Sequence, residues 1–322
     1  MPKALLLYNP SSGLRRDRRK EDIDLVLGIL RRGGWDVTAN VSGGGAKAAE
    51  QAKAAPANGY DKIVACGGDG TIHDILQGIV GTQVALGVIP LGTANTLAHD
   101  LNIPLNSARA AECLVTAVPR RFAVGRVDFQ DFDGRRGSRL FTVAVGIGVD
   151  AHLFYKLSAT VKSSIGMAAY YAKGTHLWFT HRMEFFETEL KLSGSQTESV
   201  RVSELLAVRI RQFGGILREL APGATLARSD LRLILFRTSS RLRYLAYILR
   251  GLLGMRWCVR GIELRSAEHV SCRALPAHGE ATPRSIYVEA DGELVGSLPA
   301  EISIVPDAVT LLVPPQSGYA SE

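Results

Sequence analysis

Lys62-Ile63-Val64-Ala65-Cys66, followed at once by Gly67-Gly68-Asp69-Gly70-Thr71, decides how this chain folds. Ile63 to Cys66 is a continuous apolar run, the pattern of a strand buried on both faces. The residues after it cannot extend that strand. Gly67, Gly68 and Gly70 make a loop whose backbone can approach another group closely. Ile72 to Val80 then reads as a helix, so the stretch is strand, glycine loop and helix in direct succession.

The same unit recurs on either side. Upstream, Ala4 to Tyr8 is an apolar strand ending at Asn9-Pro10-Ser11-Ser12-Gly13. Ile23, Val26, Leu27 and Leu30 fall at i, i+3, i+4 and i+7, an amphipathic helix closed by Gly33-Gly34. Trp35 to Val41 resumes as a strand, and Ala46 to Ala55 is an Ala-rich helix stopped by Pro56. Downstream, Val84 to Ile89 is a strand, Pro90-Leu91-Gly92-Thr93 a turn and Ala94 to Leu101 a helix. Alternating elements of this kind predict an α/β domain, a parallel sheet with helices on both faces.

From Arg120-Arg121 the pattern changes. Phe122 to Phe129, Leu140 to Val149, Met183 to Leu192, Val200 to Ile210, Leu231 to Phe236, Ile262 to Cys272, Ile286 to Ala290 and Leu294 to Ile304 all read as strands. They predict a β-rich second domain, a sandwich, interrupted by helical inserts near 152–178 and 241–253. The expected division is 1–121 for the α/β domain and 122–304 for the sandwich, with Val309 to Val313, in the tail 305–322, a candidate to return to the first. Two domains also suit 322 residues at roughly 150 per domain.

Composition narrows the chemistry. Charged residues make up 21% and hydrophobic ones 46%, which excludes disordered, collagen-like and coiled-coil classes. Lys and Arg exceed Asp and Glu by 38 − 31 = 7, and the pI is near 9.3, which favours anionic partners. Four widely spaced cysteines, none in a C-x-x-C pair, read as buried thiols in a reducing compartment. The seven histidines show no H-E-x-x-H spacing, which argues against a zinc site. Nucleic-acid binding is disfavoured because no aromatic-basic or helix-turn-helix signal accompanies the charge. The N-terminal apolar run is too short for a signal peptide, and the uncharged stretch Ile75 to Ala98 is punctuated by Gly, Pro and Asn rather than spanning a membrane. A soluble, cytoplasmic protein with at most peripheral membrane contact is expected.

In open α/β sheets ligands bind beyond the carboxyl ends of the strands. Three glycine loops would share that edge: Asn9 to Gly13, Gly67 to Thr71 and Leu91 to Asn95. Glycine there lets backbone amides face phosphate oxygens, and a following helix adds its positive N-terminal end. None is a Walker A or a G-x-G-x-x-G loop. Each alone can be an ordinary βα turn; three together, each bearing Ser, Thr or Asn, make that reading weak.

These loops, with Asp291-Gly292-Glu293 near the end, form an ordered set that resembles the diacylglycerol kinase catalytic-domain family over most of the chain. That family includes bacterial lipid kinases and sphingosine kinases. The resemblance implies ATP-dependent phosphorylation of a lipid hydroxyl, diacylglycerol-like or sphingoid, with nucleotide in a cleft between the α/β domain and the sandwich. Carried over by position, Asn9, Ser12, Gly67, Gly68, Asp69, Gly70, Thr71 and Thr93 are nucleotide-binding, with Asp69 near a Mg²⁺ ion. Asn40 stands where the family often has a nucleotide-contacting Thr, with Ser42 a second candidate. Asp291 matches the family's general base, although Asp-Gly between Val288 and Val295 is also a type I′ hairpin signal. Asp128 lies where relatives often carry an active-site carboxylate; it is a second candidate for the metal, or else a strand-end polar residue.

Several positions depart from the family pattern. His73 and Asp74 stand where Asn and Glu are common, and Thr96 where Asp is common. Asp100, four residues on, either shares a helix face with Thr96 and partly replaces its carboxylate or is a solvated surface charge. Ala227-Arg228-Ser229-Asp230-Leu231-Arg232 replaces an Asp-rich segment that binds a structural Mg²⁺ in many bacterial relatives, so that second metal is expected to be absent.

For lipid access, Leu242, Leu245, Ile248, Leu249 and Leu252 form a stripe among Arg241, Arg243, Arg250 and Arg256. A basic amphipathic helix can lie on an anionic bilayer, but a stripe covering the second sheet is the favoured reading. Leu157 to Phe179 is a rival lipid-facing segment, and Arg15, Arg16, Arg18, Arg19 and Lys20 read most simply as a solvated helix start, with phosphate or headgroup contact the alternative. Two other functions stay open: a kinase for a soluble acceptor, related to NAD kinases, and a nucleotide-binding membrane sensor without catalysis.

Overall fold

A computed structural model describes residues 1–10, 12–13, 18–149, 183–192, 196–213, 220–276 and 285–320. The helical insert expected near 152–178, the segment Leu157 to Phe179, Ser11, Arg15 and Arg16 lie outside the described residues. The chain forms two compact units: Met1–Val124 with Gln212–Leu217 and Val305–Glu322, and Gly125–Arg211 with Arg218–Ile304.

In the first unit β1 (Lys3–Tyr8), β2 (Asp36–Val41), β3 (Lys62–Gly67) and β4 (Ala85–Pro90) are parallel in the order β2-β1-β3-β4. The end of β15 (Glu293–Val313) adds a fifth parallel strand beside β4, pairing Thr310 with Ala85. The runs Ala4 to Leu7 and Ile63 to Gly67 and all of β4 are buried, as strands covered on both faces must be. The edge strand β2 differs: Val37 is buried but Asp36, Thr38 and Asn40 are exposed, which blunts an unpaired edge. Helices α1 (Arg19–Arg32) and α5 (Ser107–Thr116) pack together, as do α2 (Gly45–Ala54) and α3 (Asp69–Ile79). Ile23, Val26, Leu27 and Leu30 form the buried stripe of α1. The sequence reading overlooked α5, whose signal is Asn106: its side chain accepts from the Arg109 amide at 3.1 Å.

The second unit is a β-sandwich. One layer runs β12 (Ile262–Ala267), β11 (Leu231–Phe236), β10 (Glu204–Val208), β7 (Ala144–Gly148), β14 (Tyr287–Ala290) and the start of β15, all antiparallel. The other runs β9 (Thr197–Val202), β8 (Phe186–Lys191), β13 (His269–Ala274) and β15 near Ala300. The strand β5 (Val118–Gln130) forms a hairpin with β6 (Arg136–Phe141). Phe141, Ile147, Phe186, Leu190, Leu205, Leu233, Val288 and Ile302 join the two layers in one core. Three runs expected as single strands are each broken. Leu140 to Val149 breaks after Phe141, Val200 to Ile210 at Ser203, and Ile262 to Cys272 at Glu268. At Ser203 and Glu268 the chain changes layer. The Ser203 hydroxyl donates to Thr238 O at 2.6 Å and the Glu268 amide to Lys191 O at 3.0 Å, which takes up the corner's polar groups.

Asp100 is not a solvated surface charge. It is buried at the end of α4 (Thr96–Asp100), accepting from the Tyr319 hydroxyl at 2.7 Å and the Gln212 amide at 2.9 Å. The Tyr319 ring packs edge-on against Phe122 at 5.6 Å, so the C-terminal segment is fixed by both a ring and a hydroxyl. Tyr319→Phe keeps the ring and leaves a buried carboxylate short of one donor. Urea unfolding should show a loss of about 1–3 kcal/mol with an unchanged m-value.

Candidate active site

Because β1, β3 and β4 are parallel neighbours, the loops that follow them leave the same edge of the sheet. Ladder bonds run into the loops: Asn9 N donates to Cys66 O at 3.2 Å and Leu91 N to Gly67 O at 2.8 Å. Beyond those bonds Gly68 and Gly92 meet back to back. A Cβ on Gly92 would lie 2.5 Å from the Gly68 Cα, and one on Gly13 would lie 2.1 Å from Leu91 O. Only bare backbone fits at these points.

Polar side chains hold this backbone in place. Asn95, with φ +49°, accepts from the Gly92 amide and donates to the Gly92 carbonyl, both at 2.9 Å. Asp69, the first residue of α3, accepts from the Thr96 amide at 2.7 Å, which ties the start of α3 to the start of α4. The N-cap of α3, Gly68, has no side chain with which to cap it. Arg19 is buried, and its guanidinium donates to Ser12 O and, at 3.4 Å, to Leu91 O. It is a strut between the first and third loops, not part of a solvated helix start; Arg18 and Lys20 are exposed.

The arrangement thus gathers Gly13, Gly67, Gly68, Asp69, Gly70, Gly92 and Thr96. Thr93 is exposed on the third loop, Asn9 and Ser12 are half-buried on the first, and Thr71 is buried beneath Gly67. Asn40 is exposed near the end of β2, in register with Leu7. Ser42 is buried, and its Oγ has no hydrogen-bond partner among the described residues. Burial pushes the Cys66 thiol, at the base of the cradle, far above its ordinary range. Cys272 is buried too, but Cys113 is half-buried and Cys258 exposed, against the expectation of four buried thiols.

In the second unit Asp291 and Gly292 form the tip between β14 and β15, with φ of +48° and +84°, the two positive values a type I′ turn needs. The Asp291 carboxylate accepts from the amides of Thr142 at 2.9 Å, Val143 at 2.9 Å and Ala144 at 3.0 Å, while its own amide donates to Ala144 O. Buried Glu289 accepts from the Gly292 amide and steadies the tip from below. The break between β6 and β7 is therefore a set of amide donors turned onto one carboxylate.

The diacylglycerol kinase catalytic domain profile matches residues 3–127, and the YegS C-terminal NAD kinase beta sandwich-like domain profile matches 143–313, over half of the chain. The chain belongs to the diacylglycerol kinase catalytic-domain family. It is 27% identical over 304 residues to a diacylglycerol kinase of Bacillus subtilis (strain 168), covering 94% of this chain and 93% of that protein. It is 25% identical over 300 residues to one of Staphylococcus aureus (strain bovine RF122 / ET3-1), covering 92% and 88%. A crystal structure described as a diacylglycerol kinase from Bacillus anthracis str. Sterne shares the fold, with TM-score 0.69, 18% identity and 98% of each chain covered.

The departures from the diacylglycerol kinase pattern have local explanations. Asp74 accepts from the Gly45 amide at 2.6 Å and so caps α2, while His73 is buried against Gln77. Asp128 is paired with Arg126, which reaches one carboxylate oxygen at 2.9 and 3.0 Å, beside a cavity of about 760 Å³. In the segment 226–230, fully buried Arg209 donates to the carbonyls of Leu226 at 3.1 Å and of Arg228 and Asp230 at 2.7 Å each, and the Asp230 carboxylate pairs with Arg228. Among the described residues no group of three or more His, Cys, Asp or Glu is arranged to hold a metal ion.

Gly92→Ala should force the second and third loops apart and cost about 1–3 kcal/mol of stability in urea unfolding. Gly28→Ala, inside α1 and 3.4 Å from its nearest neighbour, should not lower stability.

Proposed function

We propose that this protein is a lipid kinase that transfers the γ-phosphoryl group of ATP to the hydroxyl of a membrane lipid, diacylglycerol-like or sphingoid. The observation that carries the reading is the contact of Gly68 with Gly92 at the start of α3, whose N-cap is a glycine. A helix start whose N-cap is a glycine, packed so closely that a side chain at Gly92 would displace its neighbour, suits phosphate oxygens. Family membership and a pI near 9.3 support the same reading.

Bound there, ATP with Mg²⁺ would supply the phosphoryl group and the charge neutralisation such transfer needs. The chain's own groups divide the remaining work. Amides of Gly67 to Thr71 and of the Gly92 loop orient the phosphates, and Thr93 adds a hydroxyl on the exposed side of its loop. Asn9 and Ser12 border the phosphates, and Asn40 contacts the nucleotide from the end of β2. Asp69 is the carboxylate that would hold the metal, its direction fixed by the Thr96 amide. Asp128, paired with Arg126, suits that role less well. Asp291 accepts the proton of the acceptor hydroxyl. Three amides hold its carboxylate in one orientation, and proton transfer depends first on position.

The test is incubation with labelled ATP, Mg²⁺ and a panel of dispersed lipids and soluble hydroxyl acceptors. Label should enter the organic phase, and Asp291→Asn should lower that rate by about 10²–10⁴-fold while nucleotide affinity changes little. Label confined to a soluble acceptor, or nucleotide binding with no turnover on any lipid, would overturn the proposal.

A further inference from the structure

Helix α6 (Arg241–Leu252) packs the opposite way from the favoured sequence reading. Its inward face is Tyr244, Tyr247 and Arg250, at helical spacing. Tyr244 stacks on Phe236 at 4.3 Å, and its hydroxyl meets Ser203 Oγ at 2.8 Å. The Tyr247 hydroxyl donates to Leu220 O at 2.9 Å, and Arg250 lies over the Tyr247 ring at 4.1 Å while donating to the same carbonyl. That face is complete without the leucines.

The leucine stripe faces solvent instead. Leu242 is 78% exposed and Leu249 50%, and the exposed apolar surface continues past the helix through Leu253, Met255 and Trp257. Monomeric soluble proteins rarely leave so contiguous an apolar patch uncovered. From Thr238 to Ile262 the chain carries five arginines and no carboxylate. Glu263, the next acid, is paired with Arg237 at 2.9 Å and Arg265 at 3.2 Å.

We propose that the outer face of α6, with Leu253 to Trp257, is the surface by which this protein lies on an anionic lipid bilayer. The proposal rests on the lipid-kinase reading for the nature of the partner, and on exposure and charge for the location. Apolar side chains at this depth enter the headgroup and acyl boundary while flanking arginines meet lipid phosphates, and an indole suits that interface. A second copy of the chain fits less well, because a two-fold contact would set arginine against arginine. Among the described residues no helix is long and apolar enough to cross a membrane, so this contact lies on the surface.

The test is cosedimentation with phosphatidylglycerol–phosphatidylcholine vesicles against phosphatidylcholine alone, comparing wild type with Leu242→Glu/Leu249→Glu. The double variant should lose at least about tenfold in partitioning to the anionic vesicles, with an unchanged thermal unfolding midpoint. Trp257 emission should shift blue on those vesicles and not on phosphatidylcholine alone, a signal absent from Trp257→Phe. Equal binding of wild type and double variant overturns the proposal, and so does a wild-type dimer that the substitutions split while neither form binds vesicles. Phosphoryl transfer to a detergent-dispersed lipid separates the two proposals. If wild type transfers nothing yet vesicle binding depends on Leu242 and Leu249, the docking surface stands and the kinase reading falls. If transfer occurs and binding ignores the leucines, the reverse holds.

Discussion

The first unit depends on a contact between two pieces of backbone. Where β3 and β4 end, Gly68 and Gly92 come so close that Gly92 cannot carry a side chain and Gly68 could do so only if its neighbour gave way. The closeness follows from strand pairing: Gly67 is opposite Pro90, and the next residues continue across the same gap. The side chains around it serve this geometry. Asn95 holds its own loop in a left-handed turn, Asp69 ties two helix starts together, and Arg19 spans from the first loop to the third. A cradle of amides requires such bracing, because backbone dipoles stabilise charge only when they cannot turn away from it.

The second unit solves a similar problem with the roles exchanged. There the amides of Thr142, Val143 and Ala144 converge on a protein carboxylate, and the donors come from a gap between two strands. The hairpin that carries Asp291 needs left-handed backbone at both tip residues, so the turn presents the carboxylate and limits its motion. The turn and the functional reading of Asp-Gly are therefore compatible.

What the sequence made legible was local. Ile63 to Thr71 shows strand, loop and helix because each change of residue type falls at an element boundary, and Asp291-Gly292 fixes its turn by the conformations those residues tolerate. The missed features required knowledge of neighbours. Ser203 and Glu268 are corners between layers, yet apolar residues continue on both sides, so periodicity runs straight through them. The bond from Thr96 to Asp69 spans 27 positions and exists only because β3 and β4 are adjacent. Asp100 looks like a surface charge until the chain's last segment brings Tyr319 onto it. In α6, a leucine stripe and a Tyr244–Tyr247–Arg250 stripe share one period, and nothing in the periodicity tells which of the two is buried.

Arg209 has a consequence for how this fold meets its surroundings. Its guanidinium gathers three carbonyls of the segment 226–230 around a positive charge, the service a bound cation would otherwise perform. A counter-ion joined to the chain by covalent bonds cannot be chelated, diluted or exchanged for another ion. The segment 226–230 therefore keeps this positive charge for as long as Arg209 stays folded against it.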